Sequence, residues 1–307
     1  MHDLIIIGGG PAGIAAGVYA ARKKIKTLLI TESFGGQSLV SSDVQNWIGT
    51  KSLSGLDLAK NLEDHLRAQE SIEIADGDLA ERVEKLGSNG FKIVTKNGKT
   101  FETKTVLICS GSHHKKIGVP GEDKLNGRGV VYCSTCDAPL FGGKIVVVVG
   151  AGNAGLEAVR DLFPYAKKIY LLIRSDKIKG DPVTFEEVKN NPKVEIKYQS
   201  EVKEILGDKL VASIKYLEKN QPKELKLDGV FVEIGSAPNS DLVKDLVKID
   251  QWGQIVVDHK TQMSSLPGIW AAGDVSDVLY KQNNISAGDA IKAVLNIYDY
   301  LRTYPNK

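Results

Sequence analysis

The sequence is poor in cysteine, and this shortage argues against a structural metal site. Its 307 residues include only 3 Cys, whereas structural zinc takes about four ligands, commonly from two CxxC pairs or from a CxxC and a spaced His pair. The nearest histidines to the paired cysteines, His113 and His114, are adjacent to each other in a linker-like segment. We therefore expect no metal site.

Long apolar runs and an excess of one charge are also missing. A transmembrane helix needs an apolar stretch of about 18 residues, and the sequence has none of that length. The first residues also lack the pattern of a signal peptide, which is a charged region, an apolar region and a cleavage site. The 40 basic residues are spread among 38 acidic ones, for a net charge of +2. We expect neither nucleic acid nor a membrane as a partner, and a cytoplasmic protein.

The remaining composition is that of an ordinary soluble globular protein, with 42% hydrophobic and 25% charged residues. The length exceeds what one hydrophobic core usually serves, so we expect two domains. In a reducing compartment, a closely spaced cysteine pair is more often a working dithiol than a structural crosslink.

The most informative segment is Cys133-Ser134-Thr135-Cys136-Asp137. Two thiols this close can form one disulfide across a tight turn, and one thiolate can attack or stabilise the other, so such pairs carry redox chemistry. The alternatives are half of a zinc site, an inert pair, or a structural disulfide. A disulfide that closes so short a loop would constrain the unfolded chain little.

The N-terminal segment has the pattern of a dinucleotide site. A short apolar strand at residues 4–7 leads into Gly8-Gly9-Gly10-Pro11-Ala12-Gly13, a helix at residues 14–21, and a second strand at residues 27–30 that ends at Glu32. The first Gly permits a tight turn, the second lets the backbone approach a pyrophosphate, and the third lets helix pack on strand. We predict that Gly8, Gly10 and Gly13 bind a dinucleotide and that Glu32 accepts from its ribose hydroxyls.

A second pattern of the same kind follows the cysteine pair. A valine-rich strand at residues 144–149 leads into Gly150-Ala151-Gly152-Asn153-Ala154-Gly155, a helix at residues 156–163 and a strand at residues 168–173. An acid after that strand would favour NADH, and an Arg would favour NADPH by pairing with the 2′-phosphate. The chain has Arg174-Ser175 there, which favours NADPH.

Other segments complete the predicted secondary structure. Apolar spacing predicts helices at residues 56–67, 183–189 and 285–301 and strands at residues 72–74, 91–95, 105–109, 194–198 and 229–235. Residues 201–227 fit an antiparallel meander, and residues 253–258 a turn and strand. A strand at residues 268–274 ends in Gly273-Asp274, where Asp274 suits a polyol ligand or, alternatively, a simple helix cap.

Taken in order along the chain, these segments resemble the low-molecular-weight thioredoxin reductases. They also resemble the flavoprotein reductase part of alkyl hydroperoxide reductase. The matching pieces are Gly8–Gly13, Gly35–Gln37, Val44–Ile48, Val131–Asp137, Gly150–Glu157, Gly229–Gly235, Gly268–Val275 and Tyr280–Gln282. The resemblance covers nearly the whole sequence, and the combination is specific although most single pieces are not.

This resemblance implies an α/β fold with two Rossmann-like domains and a homodimer. The NAD(P)H domain, at residues 113–241, is inserted into a discontinuous FAD domain at residues 1–112 and 242–307. Domain rotation is expected about linkers near residues 118–121 and 235–238. The peroxiredoxin-reductase relatives carry an N-terminal extension that this sequence does not show, so we expect any disulfide substrate to be a separate protein.

The resemblance also implies roles for individual residues. Cys136 faces the flavin, Cys133 attacks the partner disulfide, and Asp137 protonates the leaving thiolate. The remaining residues are implied to contact one of the two cofactors. For FAD these are Gly8, Gly10, Gly13, Glu32, Gly36, Gln37, Asn46, Gly111, Gly273, Asp274, Lys281 and Gln282. For NADPH or NADH they are Gly150, Gly152, Asn153, Ala154, Arg174, Ser175 and Lys179.

One departure from the family concerns the nicotinamide cofactor. NADPH-dependent members usually carry a His-Arg-Arg run and a further Arg after this strand, where the chain has Arg174-Ser175 and then Lys179. A lost charge-assisted contact costs on the order of 1.5–3 kcal/mol. NADPH preference is therefore expected to be weak, and NADH or reduced ferredoxin are alternative donors.

The resemblance predicts a disulfide reductase for thioredoxin or for a thioredoxin-like or glutaredoxin-like protein. A reductase of a peroxiredoxin system is an alternative enzyme. A nucleotide-binding redox sensor without turnover is the alternative outside enzymes, although a sensor would not need an acid beside its dithiol.

Overall fold

The computed structural model describes residues 1–41, 43–87 and 90–303. The last residues of the predicted FAD domain, 304–307, lie outside this part. The chain forms two compact units, the first from Met1–His113 and Ala237–Lys307 and the second from His114–Ser236. The units divide after residues 113 and 236, whereas the sequence suggested divisions after residues 112 and 241.

The described residues form six α-helices and seventeen strands. The α-helices are α1 (Pro11–Arg22), α2 (Gly55–Arg67), α3 (Ser134–Asp137), α4 (Asn153–Leu162), α5 (Pro182–Asn190) and α6 (Asn283–Thr303). The strands are β1 (His2–Gly9), β2 (Thr27–Phe34), β3 (Ile72–Asp76), β4 (Ala80–Lys85), β5 (Phe91–Thr95), β6 (Thr100–Ile108), β7 (Ser112–His114), β8 (Val130–Val131), β9 (Ile145–Val149), β10 (Lys168–Leu172), β11 (Val194–Lys197), β12 (Ser200–Gly207), β13 (Val211–Glu218), β14 (Gln221–Lys226), β15 (Gly229–Val232), β16 (Ser236–Pro238) and β17 (Ile269–Ala271). Short 3-10 helices cover Gly36–Val40, Ala138–Phe141 and Asp241–Val243.

The first unit is built on a sheet with the order β3-β2-β1-β6-β5-β4, in which β17 also pairs with β6. The strands β1, β2, β3, β6 and β17 run parallel, whereas β4 and β5 run antiparallel to their neighbours. The β1 run is apolar on both faces because both are covered. Helix α1 is rich in Ala and Gly, so the cluster that includes Trp270, Val294 and Ile297 packs close to it.

The second unit carries a parallel sheet with the order β11-β10-β9-β15-β8 and a separate antiparallel sheet of β12, β13 and β14. The valines of β9 alternate between two cores, with Val146 and Val148 on one side and Val147 on the other. Strand side chains point to opposite faces in turn, which explains this division. The antiparallel sheet is the meander that the sequence predicted.

The structure confirms the predicted α/β fold class, since each unit has a parallel sheet and contains a strand–glycine turn–helix segment. The two connections between the units contain β7 and β16, which pair with each other. Two local predictions were wrong. Residues 253–258 form only isolated bridges, and the strand predicted at residues 229–235 ends at Val232, before the left-handed backbone of Gly235.

Candidate functional site

The first unit contains a cleft of about 520 Å³ at the carboxyl ends of β1, β2 and β6. In parallel α/β sheets this edge is where ligands bind. Eight of the residues predicted for FAD line the cleft, namely Gly8, Gly10, Glu32, Gly36, Gln37, Gly111, Gly273 and Asp274. The cleft therefore brings together residues from four separate parts of the sequence.

The glycine turn at the floor of the cleft suits a pyrophosphate. Gly8 has a φ of +117°, and a Cβ there would overlap the carbonyl oxygen of Cys109. A Cβ on Gly10, in contrast, would meet no protein atom closer than the Cα of Gly36 at 3.9 Å, so it would project into open space. Gly10 caps α1 without a side-chain hydrogen bond, and the unpaired N–H groups of a helix start favour an anion. The geometry fits a bound dinucleotide phosphate.

A polar network surrounds Asp274, which also lines the cleft. Its Oδ2 accepts from Gln37 Nε2 at 3.5 Å and its Oδ1 from Ser286 Oγ at 3.4 Å. Burial raises the pKa of Asp274, and the nearby Lys281 opposes that rise. Lys281 Nζ donates to the carbonyl oxygens of Asp274 and Ser276, at 3.2 and 2.6 Å. A carboxylate held in this way can accept hydrogen bonds from the hydroxyls of a polyol.

Four predicted FAD residues do not line the cleft. Gly13 packs its backbone against the carbonyl oxygen of Gly8 and so closes the helix onto the strand. Lys281 contacts main-chain atoms beside the cleft, because its Nζ donates to the carbonyl oxygens of Asp274 and Ser276. Asn46 Nδ2 donates to Gln282 Oε1 at 3.2 Å, a contact that ties the loop after β2 to the start of α6.

Several polar residues that line the cleft were not predicted from the sequence. Ser112 Oγ accepts from Gln37 Nε2 at 3.1 Å, and Asn283 and Ser286 lie in the first turn of α6. Small polar residues at a strand end and a helix start could have suggested them. Asp78 also lines the cleft and accepts from Thr95 Oγ1 at 2.9 Å, and no local pattern in the sequence indicates it.

The second glycine turn lies in the second unit, between β9 and α4. Gly152 caps α4 without a side-chain hydrogen bond, and no atom lies within 4 Å of where its Cβ would be. Asn153 Oδ1 accepts from the backbone N–H of Asp181 at 2.7 Å, and Lys179 N donates to the carbonyl of Ala151 at 2.8 Å. These contacts hold the segment after β10 against the turn.

Residues after β10 supply positive charge near that turn. Arg174 and Lys179 are exposed, and neither forms an ion pair with any residue that the structure describes. Ser175 Oγ donates instead to the carbonyl of Lys177 at 2.7 Å. Ala154 is exposed in the first turn of α4. These two cations and the open helix start are consistent with a phosphorylated nucleotide.

Cys133 and Cys136 form a disulfide in the second unit, with their Cα atoms 5.4 Å apart. Cys133 caps the single-turn helix α3, and Ser134 Oγ donates to Asp161 Oδ2 on α4 at 2.8 Å. Burial raises the pKa of Asp137 to about 6. The third cysteine, Cys109, is free and buried, and burial raises the pKa of its thiol well above the usual range. The disulfide-bonded pair and the buried free thiol are thus distinguished by their surroundings.

Residues 2–292 match the family described as pyridine nucleotide-disulphide oxidoreductase. The chain belongs to this family. It is 38% identical, over 97% of its length, to a Bacillus subtilis (strain 168) protein named NADH dehydrogenase. It is 36% identical, over 98% of its length, to the F subunit of alkyl hydroperoxide reductase from Staphylococcus epidermidis. It spans 58% and 59% of those two proteins.

The fold is similar to that of solved thioredoxin reductases. The enzyme from Streptococcus pyogenes MGAS5005 is 32% identical, with 99% of each chain covered and a TM-score of 0.93. The enzyme from Giardia duodenalis is 30% identical, with 98% of this chain and 99% of that chain covered and a TM-score of 0.90. These findings confirm the resemblance to both groups, and membership of this oxidoreductase family implies a flavin and a pyridine nucleotide.

The described residues lack two features, a helix suited to span a membrane and a cluster of metal-binding side chains. No helix among them is long and apolar enough to cross a membrane. Likewise, in residues 1–41, 43–87 and 90–303, no group of three or more His, Cys, Asp and Glu side chains could hold a metal ion.

Proposed function

We propose that this oxidoreductase passes electrons from NAD(P)H, through FAD and the Cys133–Cys136 pair, to the disulfide of thioredoxin or a thioredoxin-like protein. The observation that carries the proposal is a disulfide followed directly by a carboxyl with a raised pKa, in a chain with two dinucleotide turns. When bound, the flavin would relay the two electrons of a hydride to the disulfide.

The first unit would hold FAD through the cleft described above. The backbone at Gly8 and Gly10 would face the pyrophosphate, and Glu32 at the end of β2 would accept from ribose hydroxyls. The Asp274 carboxylate would accept from the hydroxyls of the flavin chain. Gln37 is positioned by two of its own contacts, to Ser112 and to Asp274.

The reduced pair would act on a partner disulfide by exchange. The Cys133 thiolate attacks one partner sulfur, a protein–partner disulfide forms, and the other partner sulfur leaves as a thiolate. Cys136 then attacks the sulfur of Cys133, which restores the disulfide and releases the second partner thiol. Two electrons move from the protein pair to the partner, and the departing sulfurs take up the protons.

Asp137 is suited to supply one of those protons. Burial raises its pKa to about 6, so a useful fraction of its carboxyl is protonated near neutral pH. A general acid works best when its pKa lies near the working pH. Asp137 would therefore protonate the thiolate that leaves, and would be recharged from solvent.

The nucleotide of the second unit is proposed to be NADPH, with NADH as a workable substitute. Arg174 and Lys179 are exposed and unpaired with any described acid, so both could reach a 2′-phosphate. The missing second Arg reduces this preference, because Arg holds phosphate by two parallel hydrogen bonds and Lys by one point charge.

A second candidate function is favoured by the curated relatives. Two of them, named as an F subunit of alkyl hydroperoxide reductase and as NADH dehydrogenase, are more similar in sequence than the thioredoxin reductases from Streptococcus and Giardia. The disulfide partner could therefore belong to a peroxiredoxin system. We also propose a cytoplasmic homodimer, and sedimentation of the purified protein would test the dimer.

Anaerobic stopped-flow reduction tests the proposal. The purified protein should be yellow, and NADPH or NADH should bleach the flavin absorbance. Cys136→Ser should retain flavin and nicotinamide oxidation with a dye acceptor but lose disulfide reduction. Lys209→Ala, an exposed change elsewhere in the second unit, is the control and should keep both. A colourless protein that cannot be reconstituted with flavin, or a fully active Cys136→Ser, would overturn the proposal.

A further inference from the structure

Glu233 joins the end of a buried strand to the turn that carries the disulfide. It directly follows β15, and its backbone N–H donates to the carbonyl of Val149 at 2.9 Å. Its carboxyl interacts with the backbone N–H of Ser134, the residue after Cys133. All of these residues lie in the second unit, so the contact belongs to one compact body.

The carboxyl group of Glu233 has few hydrogen-bond partners. Its Oε1 is buried and has no hydrogen-bond partner among the residues that the structure describes. A buried carboxylate oxygen without a partner is costly, whereas a neutral carboxylic acid is tolerated far better. The position therefore favours the protonated form.

Three further carboxyls reinforce that preference from two neighbouring helices. The largest electrostatic influences on Glu233 come from Asp161 and Glu157 on α4 and from Asp137 on α3, and all three disfavour a further negative charge. Burial has the largest effect, and together they raise the pKa of Glu233 to about 8. The Ser134 N–H is the opposing influence. At neutral pH, Glu233 holds its proton.

We propose that Glu233 is a positioning residue that keeps a neutral carboxyl beside the Cys133–Cys136 turn and limits thiolate formation once that carboxyl ionises. The proposal rests on the proposed redox role of this pair. While Glu233 is neutral, it does not oppose a thiolate. Once it has lost its proton, it adds negative charge beside Asp137 and Asp161, and like charges raise the pKa of a nearby thiol.

The test is the pH dependence of thiol alkylation, which needs neither nicotinamide nor a protein partner. Full-length protein is reduced with dithiothreitol, which becomes a cyclic disulfide as the protein pair becomes two thiols. After removal of the reductant, iodoacetamide rates at Cys133 and Cys136 are followed by mass spectrometry from about pH 6 to pH 10. Because only the thiolate reacts, the rate reports the thiol pKa.

Glu233→Gln replaces the acid by a neutral group of the same shape. Below about pH 7 the variant and the parent should react alike, because Glu233 is protonated there. Above about pH 8, and until both thiols are fully ionised, the variant should react up to about tenfold faster, because its thiol pKa is lower by up to about one unit. Glu186→Gln, the same change at an exposed position on α5, is not among the carboxyls that act on Glu233 and should follow the parent much more closely.

The outcomes separate this proposal from simpler roles. Equal profiles for parent and Glu233→Gln, or a constant ratio at every pH, would overturn it, because a purely structural effect would not depend on pH. If Glu233→Gln does not fold, Glu233→Ala gives the same neutral comparison. A parent protein that shows the pH effect but cannot reduce thioredoxin-like proteins would contradict the proposed function and leave the role of Glu233 standing.

Discussion

The hydroxyl of Ser134, between the two cysteines, donates to the carboxylate of Asp161 at 2.8 Å. Asp161 Oδ2 also accepts from Thr135 Oγ1 at 3.4 Å. One carboxylate on α4 therefore holds both residues that separate Cys133 from Cys136. The disulfide turn is thus attached to the same helix, α4, that begins at the second glycine turn.

Removing that carboxylate should loosen the turn. Asp161→Ala leaves the Ser134 hydroxyl without its acceptor, and we expect the free energy of unfolding to fall by about 1.5–3 kcal/mol, as for hydrogen bonds to charged groups. Urea unfolding followed by circular dichroism measures the change. Glu157→Ala, one turn earlier and exposed, should cost less than about 0.5 kcal/mol. An equal decrease in the free energy of unfolding in both variants would show that the hydrogen bonds to Asp161 do not stabilise the protein.

Sequence reasoning could predict the parts of this site that depend on backbone geometry. The positions of Gly8 and Gly150 are recognisable because the chain turns there against a neighbouring carbonyl, where no Cβ fits. The pairings of Gln37 with Ser112 and of Ser134 with Asp161 were not predictable, because each joins residues that only the fold brings together. A local pattern carries no information about such distant partners.

The buried acids were missed for a related reason. Asp137 was predicted as an acid because the family resemblance implies that role, whereas Glu233 follows an ordinary apolar strand pattern that does not indicate a role for it. Its importance arises from burial and from three carboxyls on other elements. Electrostatic surroundings of this kind are properties of packing, and composition alone does not indicate them.

Asp137→Asn should remove the proton donor for disulfide exchange. Burial raises the pKa of Asp137 to about 6, so its protonated fraction, and with it the exchange step, should fall as pH rises through about 6. The variant should be on the order of 10²-fold slower in reducing the partner disulfide, with a flatter pH profile. Flavin reduction by NAD(P)H should be unchanged and serves as the internal control. A variant with the parent's pH profile would exclude Asp137 as the acid.

The raised pKa of Glu233 also predicts how stability depends on pH. Between the ordinary value of 4.5 and the folded value of about 8, the unfolded chain ionises this carboxyl while the folded chain keeps it protonated. The folded state then binds more protons, so the free energy of unfolding decreases as pH rises across this window. Glu233→Gln should remove that decrease.

Urea midpoints of parent and Glu233→Gln, measured at about pH 5 and pH 8, test this sign. The stability of the variant relative to the parent should increase between the two values. Asp137, whose pKa is also raised, is present in both proteins, so most of its effect cancels in the difference. A relative stability that stays constant or decreases with pH would contradict the raised pKa.

Arg174→Ala should weaken NADPH more than NADH. If the guanidinium pairs with the 2′-phosphate, its loss costs on the order of 1.5–3 kcal/mol, or about tenfold to a hundredfold in KM for NADPH. The KM for NADH, which has no such phosphate, should be unchanged. Lys177→Ala, an exposed lysine of the same segment, is the control. An equal effect on both nucleotides would remove Arg174 from the specificity contact.

Two glycines of the first turn should respond differently to substitution. At Gly10 a side chain would enter open cleft, and its φ of −78° suits any residue. At Gly8 a Cβ would overlap the Cys109 carbonyl, in a left-handed backbone. Gly10→Val should therefore fold with little change in stability but lose most of its flavin. Gly8→Val should lower the free energy of unfolding by several kcal/mol, on the order of other overpacked and strained sites.

Flavin absorbance per protein and urea unfolding of the flavin-free forms measure the two effects separately. The flavin-free parent is the reference, because bound ligand would itself stabilise the folded state. The two variants carry the same substitution two positions apart, so each is the matched control for the other. A Gly10→Val protein that keeps a full complement of flavin would place the pyrophosphate elsewhere in the cleft, since the new side chain and the phosphate cannot share the space in front of α1.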